Sequence, residues 1–263
     1  MEKDSIDNAI ESADPLAAEE AFHQIESRLS LAADAASRAG LLLSKAVLLG
    51  RLHRFDEARK QLELASQQTP NDDPGFQLSL EFIASSMYDE EGRPGEALVR
   101  LTAVWSKHNE QLNVREFRSI YEDIQLRRAF DSVKVGEWRN AIPLLRECLS
   151  FDMKLGERIS VLSNLGICSV KLKQYEDARD YLLQACKEGV TSEWQGHVHF
   201  YLALSYAHLK LLQESKREFQ RCEEHAAEYQ LPLAQVYAWL SKICKELGEK
   251  DDSERYSRMA RPI

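Results

Sequence analysis

The chain has 263 residues, 44% of them hydrophobic and 29% charged, with only 11 Gly and 7 Pro, a composition that excludes a disordered or loop-dominated protein. Its net charge of −9 disfavours broad binding to nucleic acid or to an anionic membrane. No apolar run approaches the roughly 18 residues needed to cross a bilayer, and the opening Met1-Glu-Lys-Asp-Ser-Ile-Asp lacks the apolar stretch of a signal peptide, so a cytoplasmic location is expected.

Taken in chain order, the apolar pattern resolves into pairs of helices. Residues 1–38 read as a degenerate capping pair: a shortened helix, then Asp14-Pro15 as an N-cap with proline at the first helical position, and Ala18, Phe22 and Ile25 as the buried stripe. Over 39–77, Ala46 and Leu49 mark the first helix, Phe55 the elbow, Ala58, Leu62 and Ala65 the second helix, and Pro70 its close. Residues 78–113 repeat the scheme with Ser85, Tyr88, Pro94, Ala97, Leu101 and Val104. Residues 114–158 follow with Ala129, Ser132, Trp138, Ala141, Leu145 and Cys148. Here Asn113 reads as an N-cap and 114–135 as an unusually long helix, a natural place for a hinge. Pro143 is expected early in its helix, where a missing N–H costs least.

The clearest pair spans 159–195. Leu162, Leu165, Gly166 and Ser169 recur at the i, i+3, i+4, i+7 spacing of a buried helical stripe. Leu172 closes that helix, Lys173-Gln174 makes the turn, Tyr175 packs at the elbow, and Ala178, Leu182 and Ala185 carry the stripe along the second helix. Residues 196–233 place Leu202, Ala203, Tyr206, Leu212, Ser215, Phe219 and Cys222 in the same register. In 234–263, Tyr237, Leu240 and Cys244 fit. Asp251 to Arg258, with Ser257 where an apolar residue is usual, make a polar last helix suited to a terminal cap.

One small residue opens each second helix: Ala18, Ala58, Ala97, Ala141, Ala178, Ser215 and Ser253, spaced by 40, 39, 44, 37, 37 and 38 residues. Such a period marks stacked helical hairpins whose helices cross too closely for a larger side chain. The pattern resembles the tetratricopeptide repeat, W-x2-L-G-x2-Y…A-x3-F…P, over nearly the whole chain. The resemblance implies an all-α fold, a right-handed α-solenoid of about seven TPR-like hairpins forming a single domain over 1–263, the first and last degenerate or capping. The spacings exceed the family's usual length of about 34, so longer helices or longer loops are expected.

Chemistry leaves few traces. There is no P-loop, dinucleotide-binding glycine fingerprint, H-E-x-x-H or G-x-S-x-G. His197 and His199 point about 200° apart around a helix, and His197 and His208 lie about 16 Å apart along it, so neither pair shares a metal. Cys222 and His225 have the spacing of half a zinc site, with no second pair. Five cysteines at buried-stripe positions read as small apolar side chains. No catalytic residue, cofactor or metal is expected, and the chain reads as a non-enzyme.

The resemblance implies instead a groove lined by the first helices. Their outward positions are Ser44, Val47 and Arg51; Ile83, Ser86 and Glu90; Arg127, Phe130 and Lys134; Asn164, Ile167 and Lys171; Tyr201, Leu204 and His208; and Trp239, Lys242 and Glu246, with Phe200 beside them. From Arg127 to Lys242 they mix aromatics with positive charge, which suits a protein or peptide bearing acidic and apolar residues. The charged clamp by which some tetratricopeptide cochaperones grip a terminal carboxylate is absent. Asn164 fills its middle slot, but Leu126, Phe130, His197 and Tyr201 fill the others. The expected function is a scaffold or adaptor that binds a partner's peptide or helix. Alternatives are a peptide-gated solenoid that changes pitch to control a partner, and single-stranded RNA binding, which the charge counts against.

Overall fold

A computed structural model describes residues 15–68, 73–112, 118–190, 192–224 and 233–260 and places thirteen α-helices among them. In chain order they are α1 (Pro15–Leu31), α2 (Ala35–Arg51), α3 (Phe55–Gln68), α4 (Pro74–Glu90), α5 (Pro94–Leu112), α6 (Arg118–Lys134) and α7 (Trp138–Cys148). They continue as α8 (Leu155–Lys171), α9 (Tyr175–Glu188), α10 (Ser192–His208), α11 (Leu212–Glu224), α12 (Leu233–Leu247) and α13 (Lys250–Met259). The fold is an all-α repeat solenoid of TPR-like hairpins. Two compact units make up the chain, Met1–Asp131 and Ser132–Ile263.

Among the described residues the turn inside each of six hairpins is built the same way. One residue adopts a left-handed backbone: His53, Gly92, Gly136, Lys173, Lys210 and Gly248, with φ between 56° and 83°. The residue after it donates its N–H to the carbonyl five places back: Arg54 to Leu49, Arg93 to Tyr88, Glu137 to Ser132, Gln174 to Ser169, Leu211 to Tyr206 and Glu249 to Cys244, all at 2.8–2.9 Å. This is the Schellman closure of a helix C-terminus. The same residue then accepts the N–H of the small residue that opens the next helix, as in Gln174 O from Ala178 N at 3.0 Å and Leu211 O from Ser215 N at 3.0 Å. A single linking residue thus ends one helix and starts the other, and it lies at a constant distance from the crossing.

At the crossings Ala58, Ala97, Ala141, Ala178 and Ser215 are fully buried, while Ser253 in the last hairpin is half-buried. The first-helix residue twelve places earlier is also small: Ala46 before Ala58, Ser85 before Ala97, Gly166 before Ala178, Ala203 before Ser215 and Ser241 before Ser253. Gly166 matters through proximity, since a Cβ there would fall on the Leu182 side chain.

Apolar clusters then join neighbouring hairpins. In the first unit Ala21, Ile25 and Leu48 make one, Ala46, Leu49, Ala58, Leu62, Leu80, Ala84 and Met87 another, and Leu78, Leu101, Val104 and Ile124 a third. In the second unit Leu182 packs on Val198 and Leu202, and Ala203, Ala207, Phe219, Cys222, Val236, Leu240, Ile243, Cys244 and Tyr256 form a larger cluster. First helices of successive hairpins lie side by side, α2 with α4 and α8 with α10.

Some local expectations shift. In α1 the buried residues are Ala21 and Ile25; Phe22 is half-buried, with Lys45 Nζ 4.6 Å from its ring centroid. Helix α5 runs 19 residues, against 13 or 14 for α3, α9 and α11. Part of the 44-residue interval is therefore a longer second helix. Helix α6 is described over 17 residues, as are α2, α4, α8 and α10. Pro143 is the sixth residue of α7, beyond the first turn, so its helix forgoes one backbone bond there. In α13 it is Tyr256, next to the polar Ser257, that enters the core. The N-cap and proline device expected at Asp14-Pro15 is seen at Asp73-Pro74, where Asp73 Oδ1 accepts the Phe76 N–H at 3.1 Å. The first 14 residues, Pro70, Asn113, 114–117 and His225 lie outside the described residues, as does the side chain of Ala18.

Candidate functional site

The outward faces of the first helices do not form one uniform surface. In the second unit the end of α6, the start of α7, and the faces of α8 and α10 enclose an open pocket of about 520 Å³ lined by Val133, Trp138, Asn164, Ile167, Lys171, His197 and Tyr201. Four of the expected residues meet there: Asn164, Ile167, Lys171 and Tyr201. The spacing of Ile167 and Lys171 on α8, and of His197 and Tyr201 on α10, is i, i+4, which stacks each pair on one helix face.

Lys171 Nζ lies 5.9 Å from the ring centroid of Trp138 and 5.7 Å from that of Tyr201, inside the range of a cation–π attraction. Asn164 donates its side-chain N–H to the Ser160 carbonyl at 2.9 Å, and its amide oxygen remains as an acceptor. No carboxylate lines this pocket.

A second group of expected residues forms an aromatic stack farther along the same unit. His208 stacks on Tyr175 with centroids 4.2 Å apart and planes 6° apart, and meets the edge of Trp239 at 5.7 Å. Trp239 in turn stacks on Phe219 at 6.1 Å, and Lys242 Nζ sits 4.9 Å from the indole centroid. Burial, and then the nearby Lys242, Lys210 and Lys173, hold the His208 imidazole below its ordinary pKa. Trp239 and Leu204 are half-buried against the large core cluster, as is Phe200. Trp239 therefore serves packing as well as surface. Glu246 is tied to Lys210 at 2.9 Å, which depresses its pKa.

In the first unit Val47, Arg51, Ile83, Ser86, Glu90 and Arg127 meet around a smaller pocket of about 260 Å³ with Gly50, Phe82 and Met87. Arg127 is already held by Asp89 at 2.6 Å and Ser86 at 3.3 Å. Ser44 returns its hydroxyl to the Gly40 carbonyl at 3.2 Å. On α6, Phe130 is half-buried and Lys134 exposed.

The reactive side chains are used in packing. Burial raises the thiols of Cys168 and Cys222 to about 12, and those of Cys186 and Cys244 to about 11, so all four stay protonated near neutrality. His199 pairs with Glu218 at 2.7 Å. Among the described residues one cluster has metal-ligand types, Cys244, Glu249 and Asp252. The Lys216 ammonium bonds Glu249 and lies 3.5 Å from Asp252, supplying a cation to these carboxylates.

Trp138, Val133 and His197 belong to the pocket as well, although the sequence pattern places Trp138 only in the repeat register, His197 only in a slot that does not fit the carboxylate clamp, and does not single out Val133. The usable signal was Trp138 itself. It is a half-buried indole at a helix start, two residues after the left-handed Gly136, and lies against the position a Cβ at Gly136 would take.

Fold and surface define a class, a TPR-like helical repeat presenting pockets on its first helices. Among solved structures the chain is similar to MamA. A crystal structure of MamA protein is 14% identical, covers 71% of this chain and 91% of its own, and has a TM-score of 0.55. A MamA fragment, residue 41 to the end, from Desulfovibrio magneticus RS-1 is 16% identical, covering 70% and 93% with a TM-score of 0.55. MamA from MSR-1 is 20% identical, covering 71% and 95% with a TM-score of 0.54. At such identities the likeness concerns the fold. The chain matches no described family profile and no curated protein. No helix among the described residues is long and apolar enough to cross a membrane.

Proposed function

We propose that this chain is a non-enzymatic scaffold or adaptor of the cytoplasm that recruits another protein through the exposed faces of its first helices. The observation that carries this reading is the pocket at α8 and α10. There half-buried aromatics, a lysine and a side-chain amide converge on an open volume of about 520 Å³, within the range of ligand pockets. Aromatic side chains with a polar handle dominate binding energy where they are partly buried in this way. The thiols and the His199–Glu218 pair, by contrast, are committed to packing.

The test is affinity capture with the wild-type chain and Tyr201→Ala side by side, with far-UV circular dichroism as the control for folding. A partner retained by the wild type and lost by a helical Tyr201→Ala protein supports the reading. Equal retention by both would place recognition elsewhere.

A further inference from the structure

The pocket of the second unit also carries a charge signature that narrows its ligand; the inference rests on the scaffold reading. In a chain of net charge −9, the lining holds Lys171 and no Asp or Glu. Among the described residues no carboxylate pairs with Lys171. Its ammonium lies instead over two π faces, with Nζ 5.9 Å from the Trp138 centroid and 5.7 Å from that of Tyr201. Rings attract a cation while leaving its hydrogen-bond donors unused, so the charge is positioned but not neutralised.

We propose that this pocket binds an extended peptide segment in which one carboxylate side chain stands next to a bulky apolar residue. The carboxylate meets the Lys171 ammonium, the apolar side chain fills the space between Trp138, Ile167 and Tyr201, and the amide oxygen of Asn164 accepts a peptide N–H. A cationic segment would bring like charge against Lys171. A phosphorylated one carries close to two negative charges, which one ammonium does not balance and no arginine of the lining can clamp. Single-stranded RNA could stack on Trp138 and Tyr201, but one lysine in an acidic chain is a poor match for a run of phosphates.

The experiment pans a random peptide library against the full chain, against Lys171→Glu, and against Lys171→Met, which keeps the aliphatic stem. Wild type is expected to enrich Asp or Glu within two positions of Leu, Ile, Met or Phe. Lys171→Glu should exchange the acid for Lys or Arg, and Lys171→Met should lose the charge preference. A synthetic enriched peptide should bind wild type on the order of tenfold more weakly when its Glu becomes Gln. A consensus without an acid, a consensus unchanged in Lys171→Glu, or retention of oligouridylate in its place would overturn the proposal. An acid-free consensus that still disappears with Tyr201→Ala removes only this inference, whereas no enrichment together with no captured partner removes the scaffold reading too.

Discussion

Ser215 donates its hydroxyl to the backbone carbonyl of Ala203 at 2.7 Å, and one hairpin later Ser253 does the same to Ser241 at 3.0 Å. Ser241 returns the bond, donating to the Ser253 carbonyl at 2.9 Å. In these last two hairpins the serine hydroxyls at the crossing thus satisfy themselves on the facing helix's backbone. Ser215→Ala should cost about 1 kcal/mol, the net worth of one hydrogen bond, read as a shift in urea midpoint. Ser215→Val, which adds volume and removes the donor, should cost more.

The left-handed turn residue offers a test in both directions. Lys173 and Lys210 occupy φ near 62°, a region that strains a residue with a Cβ, where three of the other turns use glycine. Lys173→Gly and Lys210→Gly should each stabilise by up to about 1 kcal/mol despite the freer unfolded chain. Gly136→Ala and Gly248→Ala should destabilise by a similar amount. Thermal melts of the four variants check the sign.

Close packing at the 155–188 hairpin predicts intolerance of volume on either helix. Gly166→Ala would drive a methyl into Leu182, and Ala178→Leu would overfill a site with no exposure. Each should lose roughly 1–3 kcal/mol. An unchanged melting temperature for both would mean the helices do not cross there.

The stack around His208 predicts a pH dependence. Its folded pKa lies below the ordinary value, chiefly through burial and secondly through Lys242, Lys210 and Lys173. The unfolded chain therefore binds the proton more readily. Its contribution to stability is complete above the ordinary imidazole pKa, near 6.5, and is lost as pH falls through the depressed folded value. Glu246, bonded to Lys210, stays ionised through that range because its own pKa is lowered. His208→Gln should flatten the fall in melting temperature between pH 7 and pH 5.

Trp239 and Lys242 separate packing from surface on one helix. Trp239→Ala removes an indole stacked on Phe219 and in edge contact with His208, and should lower stability measurably, though by less than the roughly 3–5 kcal/mol of a fully buried tryptophan. Lys242→Ala, at an exposed cation over that ring, should change stability by about 0.5 kcal/mol or less. Differential scanning calorimetry of the pair distinguishes them.

Much of the repeat was visible in the residues. Ala178 with Leu162, Leu165 and Leu182 states a hairpin because helical period and close crossing are local requirements. The turn rule was half visible. Gly92, Gly136 and Gly248 signal a left-handed residue, whereas His53, Lys173 and Lys210 hide it, since nothing in a lysine announces a positive φ. Buried Tyr256 was masked by the polar helix around it.

By itself the sequence determined the period, the helix pairs and the small residues at their crossings, because each depends on contacts within one hairpin and recurs in every copy. Tertiary structure alone decided which outward residues meet. Trp138 and Tyr201 both meet Lys171, while Arg127 is spent on Asp89 and Trp239 turns toward Phe219. Those outcomes depend on how one hairpin leans on the next, and the lean is set by side-chain packing between repeats, which no period of 3.6 residues encodes.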